Sequence, residues 1–153
     1  MIDCDPRQPP NSTLRHPRHH LMPDLHYIPP IAHPSDQPFL QRIDLIEGSS
    51  TIATAHWHAP VGLEGVIQLL DLTVIPEHRR KGQGSTLLTA FIEQSVLYGK
   101  TTGILTRRIW MSVEQKTQVN ARAFLTRHGF HHVATIKELL ARQDALVYLK
   151  SLD

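Results

Sequence analysis

The sequence predicts a single domain of the mixed α/β class: a largely antiparallel sheet with a strand–helix–strand crossover. Three observations point there. Residues 39–74 fall into three strand-like runs separated by short turn signals. Leu69 to Leu88 then changes from a near-continuous apolar run to apolar residues at helical spacing. Finally, 153 residues is one domain's length and enough to bury a core.

Residues 1–37 differ from the rest of the chain. Nine of the eleven prolines lie between Pro6 and Pro38, and helical periodicity is absent. The expected organisation is a Pro/His-rich arm over 1–38 and a folded domain over 39–153. His16, His19 and His20 could hold a metal, but no Cys or carboxylate sits at ligand spacing, so a solvated arm is expected. Leu25–Ile31 reads as a short edge strand interrupted by Pro29 and Pro30.

Phe39–Ile46 alternates as a strand, Glu47-Gly48-Ser49-Ser50 is a hairpin turn, and Thr51–His58 is the returning strand. After a loop at Pro60–Gly65, Val66–Val74 forms a third, longer strand. Leu69, Leu70, Leu72, Val74 and Ile75 make it apolar enough to be covered on both faces. Pro76, with no N–H for a sheet ladder, ends it. A helix is expected from about Ser85 to Tyr98, with Leu87, Leu88, Phe91, Ile92 and Val96 on one face and Gly99 as its left-handed cap. Ile104, Leu105, Ile109, Trp110, Met111 and Val113 predict the next strand, joined in parallel by a right-handed crossover. A second helix places Ala121, Phe124, Leu125 and His128 on one face, with Gly129 at C′ and Phe130 packing back on the last turn. His131–Ile136 and Ala145–Leu152 are two closing strands.

Composition narrows the function classes. A formal net charge of +2 gives no bulk attraction to nucleic acid or membrane. Basic character is local, in Arg79–Lys81 and in Arg107-Arg108. Cys4 is the single cysteine, which fits a reducing cytoplasm and excludes an internal disulfide. No apolar run nears the ~18 residues a membrane span needs, and the N-terminus lacks a signal-peptide core. A soluble cytoplasmic protein is expected, without nucleic-acid or membrane partners.

The segment Arg79-Arg80-Lys81-Gly82-Gln83-Gly84 is suited to an anion. The first N–H groups of a helix lack intrahelical partners and lie at the positive end of its dipole. Gly82 and Gly84 let backbone approach a ligand, and three cations favour a multiply charged group such as a pyrophosphate. A plain solvated basic loop would carry the same residues. Neither the P-loop nor the three-glycine dinucleotide turn fits.

Val74-Ile75-Pro76-Glu77-His78-Arg79-Arg80-Lys81-Gly82-Gln83-Gly84 resembles motif A of the GNAT N-acetyltransferase superfamily, Arg/Gln-x-x-Gly-x-Gly/Ala after a strand ending in Val-x-Pro. Gln118–Phe130 is similar to that family's Asn-x-x-Ala-x-x-Phe-Tyr-x-x-x-Gly-Phe segment, and the likeness spans about Phe39 to Leu152. The resemblance implies a GNAT fold and acetyl-CoA as cosubstrate. It also implies direct transfer of an acetyl group to the amine of a small molecule or peptide. Leu72, Thr73 and Val74 would meet the pantetheine arm, and Arg79, Arg80, Lys81, Gly82, Gln83, Gly84, Ser85 and Thr86 the phosphates. Gln118 and Asn120 would contact the cosubstrate from the second helix.

The chain departs from that pattern in three places. Gln118 stands where the family has Asn, although Asn120 is close by. Leu125 occupies the place of the tyrosine that protonates the leaving thiolate, so no general acid can be named. Tyr98 and Tyr148 are not well placed, and water would suffice. The two helices that usually follow the first strand have no counterpart. Their loss predicts an acceptor groove left open, or closed by the arm or by a partner subunit in a homodimer.

Asp71, a carboxylate inside an apolar strand, is either an acceptor anchor or base, or a salt-bridged surface residue. His56, His58, Ser112 and Glu114 are further acceptor-side candidates or ordinary surface. A rival class is a GNAT-like module that holds acyl-CoA without turnover, or one whose basic turn meets RNA.

Overall fold

A computed structural model describes residues 23–28, 40–116, 118–140 and 143–152. The arm before Pro23, with its candidate metal histidines, and residues 29–39 lie outside the described residues. Seven strands form one sheet: β1 (Asp24–Ile28), β2 (Gln41–Glu47), β3 (Ser50–His58), β4 (Val66–Val74), β5 (Arg108–Glu114), β6 (His131–Leu140) and β7 (Gln143–Ser151). Their spatial order is β1-β2-β3-β4-β5-β7-β6. Neighbours are antiparallel except β4 and β5. The crossover between those two is α1 (Gln83–Thr102), and α2 (Val119–Arg127) links β5 to β6. Both α-helices among the described residues therefore come after β4. Only residues 29–40 separate β1 from β2.

The covered face of the sheet is read from its register, since residues opposite one another on neighbouring strands project to the same side. Ala53, Ala55 and Trp57 stand opposite Val74, Leu72 and Leu69. They face α1, where Trp57 makes edge contacts with Phe91 at 5.8 Å and Tyr98 at 5.5 Å. Ile43, Leu45, Leu87, Leu88, Ile109, Val113, Leu125 and Phe130 complete one contiguous core.

The elements differ from the expected ones mainly at their ends. α1 runs through Gly99 to Thr102 and closes at Gly103, whose φ of 74° is left-handed. Gly99 serves close approach instead: a Cβ there would lie 2.5 Å from the carbonyl oxygen of Ile104. The chain doubling back past it leaves Ile104 and Leu105 exposed outside the strand. β5 starts at Arg108 because Gly65 O fixes Arg107 and Arg108 by accepting from both N–H groups. β6 is longer than expected, with Glu138 at a φ of 55° in an irregular stretch.

The end of α2 matches the expected cap. Gly129 has a φ of 80°. Its N–H donates to Thr126 O, and the Phe130 N–H donates to Leu125 O at 3.0 Å, the paired bonds of a Schellman ending.

Candidate functional site

β4 changes character halfway along. Its parallel pairing with β5 covers only Val66/Arg108, Ile67/Ile109 and Gln68/Trp110. Immediately beyond, Leu70 is an extra residue: Leu69 stands opposite Trp57 and Asp71 opposite His56, with nothing on β3 to match Leu70. Such a bulge bends the strand and re-aims the side chains beyond it. Here it opens a wedge between the outer halves of β4 and β5. It also changes the parity of the strand. Ile67 and Leu69 point into the core, and strict alternation would send Asp71 after them. The bulge sends Asp71 to the opposite, helix-free face and returns Leu72 and Val74 to the core side.

The main chain at the wedge is oriented by one bond. Ile75 N–H donates to Ile52 O at 3.0 Å. Alternation in an antiparallel ladder then makes Thr54/Thr73 and His56/Asp71 hydrogen-bonded pairs as well. The N–H and C=O groups of Leu72 and Val74 therefore turn away from β3, toward the wedge, whereas those of Thr73 turn toward β3. The Val74 carbonyl already accepts a bond from Arg79 Nε at 2.9 Å.

A single 3₁₀ turn, Pro76–His78, carries the chain from β4 to the glycine turn. Arg80 holds a left-handed φ of 60°, strained for a residue with a Cβ, and Gly82 has a φ of 85°. Gly82 is the N-cap of α1 and, with no side chain, leaves the helix start uncapped. A Cβ at Gly82 would meet no described atom within 4 Å, so the space in front of this turn is open. At Gly84 a Cβ would stand 3.5 Å from the Phe124 ring and 3.7 Å from Val74, so strand end, helix start and α2 meet there. Arg79, Arg80 and Lys81 are exposed, and no carboxylate pairs with them among the described residues.

Two hydroxyls of this turn are already engaged. Thr86 Oγ1 turns back to Gly82 O at 3.4 Å. Ser85 Oγ lies 3.0 Å from Nε2 of His128, the C-cap of α2. Burial, and then the charges of Arg127 and Lys150, hold the His128 imidazole below its ordinary value, so it stays neutral and suits a hydroxyl partner. At the other end of α2, Gln118 Oε1 accepts the N–H of Glu114 at the tip of β5, at 2.8 Å, and Asn120 is exposed. Leu125 is buried in the core, while Phe124 reaches the wedge. Tyr98 and Tyr148 pack on the covered side of the sheet.

The helix-free face carries the remaining candidates. Asp71 receives the Thr73 hydroxyl, 3.0 Å from each carboxylate oxygen, and its Oδ2 is 3.7 Å from His56 Nδ1. His58 Nε2 meets Gln68 Oε1 at 2.7 Å, and its buried Nδ1 has no partner among the described residues. Trp110 lies beside Gln68 on this face, and alternation along β5 adds Ser112 and Glu114. Sequence spacing set the end of the third strand beside the glycine turn. It missed the Asp71–His56 pairing and the Ser85–His128 bridge, the first because it needs the register, the second because periodicity placed His128 on an apolar helix face. Among the described residues no cluster of three or more metal-ligating side chains occurs.

The model of the acetyltransferase (GNAT) family matches residues 11–130. No curated protein matches the chain. Solved structures similar in fold include a GNAT-family protein from Desulfovibrio desulfuricans, with a TM-score of 0.64 and 21% identity over 73% of this chain and 69% of that one. An IAA acetyltransferase from Bacillus cereus has a TM-score of 0.64 and 14% identity over 74% and 78%. A PaiA N-acetyltransferase from Thermoplasma acidophilum in complex with coenzyme A has a TM-score of 0.58 and 19% identity over 74% and 61%.

Proposed function

The chain belongs to the acetyltransferase (GNAT) family, and we propose that it transfers an acetyl group from acetyl-CoA directly to the amine of a small molecule or peptide. One observation carries this reading: the wedge between β4 and β5 opens onto the uncapped, cation-flanked start of α1. Phosphates would lie against the backbone of Gly82–Thr86 with Arg80 and Lys81 beside them. The outward main chain of Leu72 and Val74 would receive the pantetheine arm, and an N–H there would polarise the thioester carbonyl. Arg79 serves by fixing Val74. Gln118 and Asn120 would flank the cosubstrate from the start of α2. The acceptor would come from the helix-free face, where the exposed carboxylate of Asp71 lies beside the wedge. No described helix is long and apolar enough to cross a membrane, and a single cysteine supports a cytoplasmic setting.

Leu125 favours a second reading. A buried leucine where the family pattern places a tyrosine leaves the thiolate without that proton donor, as in a module that holds acyl-CoA without turnover. Calorimetric titration with acetyl-CoA, then thiol release in the presence of an amine panel, decides between them. The expected result is binding with turnover. Gly82→Val, which adds a branched side chain where φ is 85° and the phosphates approach, is expected to abolish binding. Unchanged affinity in that variant would refute the cradle, and binding without thiol release would establish the module.

A further inference from the structure

We propose that His56 takes the proton of the acceptor amine, with Asp71 as the positioning residue that holds its tautomer. This rests on the acyl-transfer reading of the wedge. His56 lies on β3 directly opposite Asp71, the first residue after the bulge, at the point where β4 has left β5. Asp71 Oδ2 approaches Nδ1 at 3.7 Å, which favours a proton on that nitrogen and presents Nε2 as the acceptor. Catalytic hydrogen bonds are often this long before a substrate is bound. Both oxygens of Asp71 already face the Thr73 hydroxyl at 3.0 Å, which fixes the carboxylate in place.

The neighbouring charges among the described residues leave Asp71 without a competing cation. Arg42 stands opposite His56 on β2 and would be the natural cation for Asp71. It is committed elsewhere: Arg42 Nε and Nη2 each bond Asp44 at 2.9 Å. Asp44 is further held by the Thr54 hydroxyl at 2.8 Å. His26 on β1 faces Asp44, and His58, two residues along β3, is committed to Gln68. The imidazole of His56 therefore sits between a neutralised Arg42–Asp44 pair and the carboxylate of Asp71.

The chemistry balances without a tyrosine. An ammonium N–H bond breaks and its proton moves to His56 Nε2. The freed nitrogen pair bonds the thioester carbonyl carbon, and the C–S bond breaks with the thiolate taking its electron pair. The imidazolium returns its proton to that thiolate, and the extra proton on the new amide nitrogen passes to water. Ammonium and thioester thus give amide, thiol and one solvent proton.

His56→Ala is expected to lower kcat about 100-fold, in the range for loss of a general base, with the calorimetric affinity for acetyl-CoA unchanged. Added imidazole should restore part of the rate, and the rise of kcat/KM with pH that reports the base should vanish. Independently of turnover, imidazole ¹⁵N shifts should show His56 protonated at Nδ1 in the wild type and at Nε2 in Asp71→Asn. A variant with wild-type kcat and pH profile, or the same tautomer with and without the Asp71 carboxylate, overturns the assignment. A wild-type chain with no affinity for acetyl-CoA overturns the reading of the wedge beneath it.

Discussion

The two halves of β4 look alike in sequence and have opposite duties. From Val66 to Leu69 the strand is held by β5 over Val66–Gln68 and by β3 from Gln68 onward, and sends Ile67 and Leu69 into the core with 2% and 1% exposure. From Asp71 to Val74 it is held by β3 alone, and Leu70, Asp71 and Thr73 are exposed. The first half is fixed by hydrogen bonds and apolar burial. The second gives up one ladder, which leaves polar main chain beside the turn that starts α1. One unmatched residue, Leu70, separates them.

Damage in the first half should therefore appear as lost stability, and damage in the second as lost ligand affinity. Leu69→Ala gives the largest expected effect: about 2–5 kcal/mol of unfolding free energy, the range for a buried leucine that leaves a cavity. It would be read from urea denaturation, with acetyl-CoA affinity near wild type wherever the variant is folded. A loss below about 1 kcal/mol would mean that the inner half is not the anchor.

Deleting Leu70 tests the boundary itself. The register on either side is already aligned, Leu69 with Trp57 and Asp71 with His56, so removal leaves a regular ladder. Stability is expected to change by no more than about 1 kcal/mol, because an exposed residue is lost and no core contact with it. Acetyl-CoA affinity is expected to fall about tenfold or more, equivalent to about 1.4 kcal/mol, as the straightened strand closes on β5. If affinity survives and the melting temperature drops instead, the bulge serves packing and the two halves do not divide the labour.

The bulge also marks where the sequence stops being legible. Apolar periodicity found the meander, the crossover, α2 and its Gly129 ending, because each depends on neighbours a few residues apart. The turn was legible too, through Gly82 and Gly84 beside three cations. Leu70 gives no such signal: Leu69-Leu70-Asp71-Leu72 reads as a continuous buried run whether or not one residue is extra. The face that Asp71 occupies depends on that extra residue, so its meeting with His56, fifteen positions earlier, could not be foreseen from spacing. Gly99 misled for a related reason. A glycine near a helix end suggests a cap, but here the missing Cβ makes room for the returning chain at Ile104, a tertiary requirement.

The smallest expected effect concerns the far wall of the wedge, where α2 closes on α1 through Ser85 and His128. Burial and the charges of Arg127 and Lys150 lower the proton affinity of His128 in the folded chain. Between its folded value and the ordinary one of about 6.5, the unfolded chain therefore binds more protons than the folded one. The linkage relation then has stability rising with pH in that window. This contribution is complete above about pH 6.5 and is lost as pH falls through the folded value. Urea midpoints of the wild type should accordingly fall more between about pH 7.5 and 5 than those of His128→Gln, which keeps a polar partner for Ser85 and cannot titrate. The excess loss should be small beside the Leu69→Ala effect, because it reflects one partly buried group. Equal acid losses in the two proteins would mean that the bridge is indifferent to protonation. The outer region would then differ from the inner half of β4 only in its hydrogen bonding.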